Sequence, residues 1–377
     1  MLLSNHLSAL LRNISNVPGW SSRNRYVVIE SDDWGSIRMP SGEVFARLLQ
    51  AGINFYADEG LRFNENDSLA TADDLASLFE LLSSFRDSTG RPPVITPVSL
   101  VANPDFGRIR ESGFTEYYYE PFPETLKRYR GCEESFRLWQ DGIKNRLFVP
   151  QFHGREHLNV MVWLRALQQG HNNAILAFDN HMWGISTASD PAIGVEFQAA
   201  FDLINPDDIE YQRSVIISGL DLFEELFGYR AAYFVPPNGP FSSKLESSCE
   251  EAGLKFLSVS KIRKEPTGFG RTQTSYNWFG KRSSSGLILL TRNCFFEPGS
   301  SGHDWVDECM FEISAAFRWN KPAIVSSHRV NYIGALNRSN RDLGLSQLGI
   351  LLKRIIKTWP DVMFVTSAEL GEIIANG

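Results

Sequence analysis

The feature that most constrains this chain is an alternation running through almost its whole length, in which short β-branched or apolar runs take turns with segments of helical period. The runs Tyr26–Glu30, Val94–Leu100, Leu147–Phe152, Ala174–Phe178, Ala231–Val235, Phe256–Val259, Leu287–Thr291, Ala323–Ser326 and Val362–Val365 read as strands. Between them, Gly42–Ala51, Ala72–Phe85, Glu133–Ile143, Leu158–Gln168, Pro206–Phe227, Ser242–Ala252, Asp304–Trp319, Gly344–Thr358 and Ser367–Ala375 read as helices. Strands separated by helices pair in parallel, because a parallel neighbour needs a crossover long enough to hold a helix. So many βα units in 377 residues predict an α/β fold with one closed or nearly closed barrel, although the length also permits two smaller domains. This reading divides the chain into an N-terminal helical extension over 1–22 and a single barrel over 23–377. Insertions fall near 53–69, 102–121 and 179–205, and their aromatic and polar residues could wall a substrate groove or simply decorate the surface.

Some helix ends carry their own signals. Thr71 followed by Asp73 and Asp74 predicts a capped start with an acidic first turn. Pro206-Asp207-Asp208 opens a long helix that should end near Gly228. Residues Ser4 to Ile14 read as a short amphipathic helix and not as a signal peptide, since no basic stretch precedes the apolar residues. No run approaches the ~20 apolar residues of a membrane span.

Bulk chemistry narrows the function. The formal net charge of -7, with no long basic run, argues against a nucleic-acid partner and against an anionic membrane surface. Cys132, Cys249, Cys294 and Cys309 match no zinc knuckle and no C-x-x-C motif. They read as reduced thiols, which fits a cytoplasmic compartment. The oligomeric state is left open.

In a parallel barrel, reactive groups gather where strands end at their carboxyl edge. Asp32 and Asp33 follow the first predicted strand, His153 follows the Leu147 run, and Asn238 follows Ala231–Val235 through two prolines. Arg292 follows Leu287–Thr291, and His328 follows Ala323–Ser326. His153 and His157, four residues apart across a strand-to-helix junction, suit a divalent metal. Adjacent aspartates beside a metal can divide labour, one binding the cation and the other accepting a proton from water. Taken alone, an Asp-Asp pair is more often a solvated turn, and a single histidine more often an ordinary hydrogen-bonded group. Placement at several strand ends favours the site.

The pattern resembles the polysaccharide deacetylase family, carbohydrate esterase family 4, with its NodB-type domain. Ser31-Asp32-Asp33-Trp34-Gly35 resembles the family's Thr-Phe-Asp-Asp-Gly signature, and His153-Gly154-Arg155-Glu156-His157 its His-Ser/Thr-x-x-His motif. Phe234-Val235-Pro236-Pro237-Asn238-Gly239 resembles its Phe-Arg-Pro-Pro-Tyr-Gly segment, and Ser327-His328 matches its late Leu-x-His strand end at the histidine. The resemblance implies a distorted (β/α) barrel that hydrolyses an acetyl group from an acetylated saccharide. It implies Asp33, His153 and His157 as ligands to a divalent metal, zinc in most members. Asp32 would then be the base and His328 the acid, with the Asn238 backbone N–H helping to hold the oxyanion. The chain departs from the pattern at Val235, where the family has the arginine that orients its catalytic aspartate; Arg155, Arg292 and Arg329 are candidates to replace it. Trp34 is an extra residue before Gly35, and His303-Asp304-Trp305 loosely matches a further aspartate-tryptophan element. Trp34, Arg155, Arg292 and Trp305 are therefore candidates for substrate contact.

Two rival readings remain. The same five residues spell H-x-x-E-H, an inverted zinc-peptidase motif in which Glu156 would be the base and both histidines would share a helix. Alternatively, Val235 marks a catalytically altered barrel that keeps the site for binding, or a C–N hydrolase acting on a small cyclic amide.

Overall fold

Strand β1 (Tyr26–Trp34) is buried along its whole length, as expected of a parallel strand covered on both faces. The structure, a computed structural model, describes residues 13–55, 60–188 and 190–377. Along the chain follow β2 (Ile95–Leu100), β3 (Ala102–Pro104), β4 (Tyr119–Pro121), β5 (Gln151–Gly154), β6 (Tyr233–Phe234), β7 (Phe256–Ser258), β8 (Ile262–Gly268) and β9 (Arg271–Tyr276). The last five are β10 (Lys281–Arg282), β11 (Ile288–Leu290), β12 (Cys294–Phe295), β13 (Ala323–His328) and β14 (Met363–Phe364). Ten of these form one sheet in the order β10-β11-β7-β6-β5-β2-β1-β13-β12, with β14 also paired to β1. Every pairing in it is parallel except β10 with β11. The sheet curls into a half-barrel whose terminal strands do not pair with each other, a distorted (β/α) barrel. Two further two-stranded antiparallel sheets, β3–β4 and β8–β9, stand outside it.

The period-2 alternation of β1 sorts its side chains. Val27 and Ile29 enter a core shared with Leu75 and Leu78 of the Ala72–Ser83 helix and Leu348 and Leu352 of the Arg338–Thr358 helix. Val28 enters a second core with Val98, Tyr233, Leu290 and Ile324. Glu30 and Asp32 follow Val28 at two-residue steps, so the inner face of the strand changes from apolar to acidic as it reaches its carboxyl end.

Several local expectations are met and others corrected. Thr71 and Asp74 form a reciprocal capping box, and Gly228 ends the Ile209–Phe227 helix in the left-handed region at φ 77. Pro206–Asp208 is a separate 3-10 turn ahead of that helix. The apolar run Ala174–Phe178 is not a strand but part of the Asn172–Asp179 helix, because Ala174, Ala177 and Phe178 recur at helical spacing and pack together. The strand expected at Leu147–Phe152 starts only at Gln151, since Pro150 offers no N–H to the ladder and Phe148 makes an isolated bridge to Ile95. The final long helix begins at Arg338 and not at Gly344, because Asn337 caps it by accepting from the Ser339 N–H. Of the expected N-terminal helix, residues 4–12 lie outside the described residues. Among the described residues no helix is long and apolar enough to cross a membrane. All four cysteines are buried and outside any disulfide.

Candidate metal centre and its cavity

Asp32 and Asp33 are consecutive strand residues, and strict alternation would send their side chains to opposite faces. Both nonetheless line one cavity. The cause is a β-bulge: Ser31 pairs with Pro97 and Trp34 with Ser99, so two residues of β1 stand opposite one of β2, and Asp33 takes φ 74. A second bulge adjoins it, where Ser99 pairs with Phe152 and Leu100 with Gly154, leaving His153 as the extra residue of β5. Gly35 closes the first bulge at φ 89, and a Cβ there would lie 2.2 Å from the Leu100 carbonyl oxygen, so only glycine fits.

These bulges bring Asp33, His153 and His157 together. One ligand atom from each lies within 4.8 Å of the others. His153 Nε2 is 3.4 Å and His157 Nε2 3.2 Å from the same oxygen of Asp33, Oδ1. His153 Nδ1 lies 2.6 Å from the Val235 carbonyl oxygen and must donate to it, which leaves the Nε2 lone pair facing Asp33. Burial would raise the Asp33 carboxyl, but the His153 and His157 rings beside its Oδ1 hold it well below the usual carboxylate range. Burial lowers the His157 imidazole, which favours the neutral, ligating form. Two imidazoles and one carboxylate are a donor set for zinc or a similar divalent ion, and the cluster fits one.

Asp32 stands beside this cluster. Arg292, just past β11, places Nη2 and Nη1 each 2.6 Å from a different Asp32 oxygen. Its Nε lies 2.6 Å from Oε2 of Glu30, and Ser367 Oγ donates to the other Glu30 oxygen at 2.7 Å. Burial pushes the Asp32 carboxyl up, yet the Arg292 guanidinium outweighs it and keeps the pKa below normal. Thus Arg292, and not Arg155 or Arg329, is the guanidinium that holds Asp32. Arg155 pairs with Glu156 and Ser218, and Arg329 with Asp67 and the Ser36 carbonyl.

His328 is in register with Asp32 across the β1–β13 pair. Its Nδ1 lies 2.6 Å from Glu297 Oε1, and Glu297 also accepts from Arg62 at 2.8 Å and Asn331 at 2.9 Å. Burial pulls the imidazole down, but Glu297 overrides this with help from Asp33 and Asp32, and the pKa is pushed up to about 9. Asn238 follows Pro236 and Pro237 on the cavity wall at φ 54, and among the described residues its N–H has no acceptor. The cavity holds about 710 Å³, and residues of the segments 53–69 and 179–205 line it, among them Arg62, Phe63, Glu196 and Gln198.

Three candidates for substrate contact lie elsewhere. Trp34 is 1% exposed, packs edge-on against Trp139 and Phe148, and donates to Ser31 Oγ, so it is a core residue. Arg155 sits over the Tyr119 ring, away from the cavity lining. Trp305 opens a helix capped by Asp304 and donates to the Ser300 carbonyl. The peptidase geometry is also absent. His153 belongs to β5, the next helix begins at Val160, and Glu156 is held by Arg155 outside the cavity lining. Glu30, Arg62, Glu297 and Arg38 carry no motif of their own; each meets a residue or cavity wall from a distant segment.

Fold and site together define a parallel α/β half-barrel with a candidate mononuclear metal centre at the carboxyl ends of its strands. No family model matches the chain, and no curated protein matches it in sequence. Among solved structures it is similar to Puue allantoinase, at 10% identity over 94% of this chain and 93% of that one, with a TM-score of 0.46. It is also similar to a probable polysaccharide deacetylase from Pseudomonas aeruginosa PAO1, at 9% identity over 93% and 91%, with a TM-score of 0.44. A CE4 family pseudoenzyme from Bacillus anthracis is similar at 9% identity over 88% and 62%, with a TM-score of 0.33. The resemblance to polysaccharide deacetylases is one of fold.

Proposed function

We propose that the protein is a metal-dependent hydrolase that removes an acetyl group, N-linked in the leading version, from a sugar or glycan. The observation that carries this reading is the convergence of three groupings in one cavity: the Asp33, His153 and His157 cluster, Asp32 held by Arg292, and His328 held by Glu297. Asp33, His153 and His157 would hold a divalent cation such as zinc, which when bound would supply Lewis-acid polarisation of the acetyl carbonyl and an acidified water. Asp32, kept ionised by Arg292, accepts the proton of the attacking water. The Asn238 N–H donates to the oxyanion that develops on the acetyl carbon's oxygen, a contact worth about 3–4 kcal/mol per donor. His328, protonated through Glu297, gives its proton to the departing amine. The products are acetate and a deacetylated saccharide.

The test compares Asp32→Asn with Glu156→Gln, both loaded with zinc, on a panel of acetylated saccharides, with the folded fraction of each measured first. Asp32→Asn is expected to keep bound metal and lose acetate release, while folded Glu156→Gln keeps it. The reverse pattern would overturn the reading in favour of a Glu156 base.

A further inference from the structure

The long basic side chains on the cavity wall are Arg38, Arg62, Lys261 and Arg292. Arg292 is answered by Asp32 and Glu30, and Arg62 by Glu297. Lys261 Nζ donates to Ser15 Oγ at 3.0 Å and Asn16 Oδ1 at 3.5 Å. Arg38 is different. Among the described residues its guanidinium makes no hydrogen bond and no ion pair, and its Nε is buried without an acceptor. The cavity's Glu196 does not serve it, since its oxygens accept from Ser186 Oγ and the Thr187 N–H.

Arg38 is nevertheless held in place. Its guanidinium carbon lies 4.6 Å from the centre of the Phe63 ring, which also carries Arg62 at 4.6 Å and meets His328 edge-on at 5.4 Å. Burial works against its charge while Asp67, and then Asp33, favour it, and Arg38 shares the cavity wall with Asp33 and His157. A guanidinium fixed on an aromatic face, with its donors unpaired in a cavity, is costly unless a ligand completes it. Its planar fork suits a carboxylate or phosphate.

We infer that Arg38 receives an anionic substituent of the substrate, so that the cavity takes an acidic saccharide: an N-acetylated sugar carrying, or joined to, a carboxylate or phosphate. The inference rests on the hydrolase reading only for the identity of the acetylated sugar.

The test uses the zinc-loaded 377-residue chain and three probes: N-acetylglucosamine, its 1-phosphate, and a disaccharide of N-acetylglucosamine and glucuronic acid. Calorimetry gives the binding constants, acetate release is followed separately, and thermal melts establish that Arg38→Met and Arg38→Lys are folded. At least one acidic probe is expected to bind about tenfold or more tightly than the neutral sugar. Arg38→Met should collapse that ratio by about tenfold, and Arg38→Lys should retain part of it. Tighter binding of the phosphate assigns the site to phosphate, and tighter binding of the glucuronate assigns it to a carboxylate. Equal binding of all three probes, or an acid-to-neutral ratio unchanged in Arg38→Met, would overturn the inference. Arg38-dependent acid preference without acetate release from any probe would leave the anion site standing and remove the hydrolase reading. Acetate release with no acid preference would do the opposite.

Discussion

Arg292 holds Asp32 with both terminal nitrogens, each 2.6 Å from a different carboxylate oxygen, across 260 residues of sequence. The same guanidinium reaches the fully buried Glu30 with its Nε. Replacing it strands two carboxylates away from water. Arg292→Met is therefore expected to cost about 3–5 kcal/mol of stability. It should also abolish acetate release while leaving the Asp33, His153 and His157 cluster intact. Urea denaturation and zinc titration of the variant check both parts, and a stable, active Arg292→Met would show that Asp32 needs no such support.

Glu297 sets the protonation of His328. Because the folded pKa is raised to about 9, the imidazolium persists below that pH and is lost above it. The linked stability is fully present below the unfolded value of about 6.5 and disappears as pH rises through about 9. The alkaline limb of kcat should accordingly fall at or below about 9, since a cation on Asp33 opposes part of the upward push. In Glu297→Gln the limb should move toward acid, to about 6.5 or below. A limb that stays in place in Glu297→Gln would remove His328 from the role of acid.

Metal binding should be visible without any substrate. Zinc at about 100 times its Kd is expected to add about 2.7 kcal/mol of stability. The accompanying rise in Tm should vanish in His153→Ala and in Asp33→Ala. A zinc-dependent rise that survives both substitutions would place the ion elsewhere.

Trp34 tests the core and not the chemistry. It fills space against Trp139 and Phe148, so Trp34→Ala is expected to cost about 3–5 kcal/mol by leaving a cavity. Trp34→Phe should cost less, losing mainly the bond to Ser31 Oγ. Denaturation midpoints distinguish these outcomes from a substrate contact, which would raise KM with little change in stability.

Much of the barrel was legible because parallel strands announce themselves as buried β-branched runs, and strand ends bearing Asp or His stand out against them. Asp32, Asp33, His153, His157, Asn238, Arg292 and His328 do line one cavity. The bulges that turn Asp33 and His153 inward left no mark in the sequence, because they arise from register against β2. Glu30 and Glu297 were equally silent, for their meaning lies in partners brought close by the fold. Ala174–Phe178 misled because a short apolar run has the same composition in a buried helix as in a strand. His303-Asp304-Trp305 turned out to be a helix start, in which Asp304 accepts from the Asp307 N–H.

The most direct test of the central claim is the stoichiometry of acetate and free amine released from N-acetylated saccharides by the zinc-loaded protein, with Asp32→Asn measured beside it at equal metal content. One acetate per amine is expected from the wild type and neither product from Asp32→Asn. Full zinc occupancy with no acetate from any N-acetyl or O-acetyl saccharide, or undiminished release by Asp32→Asn, would contradict it.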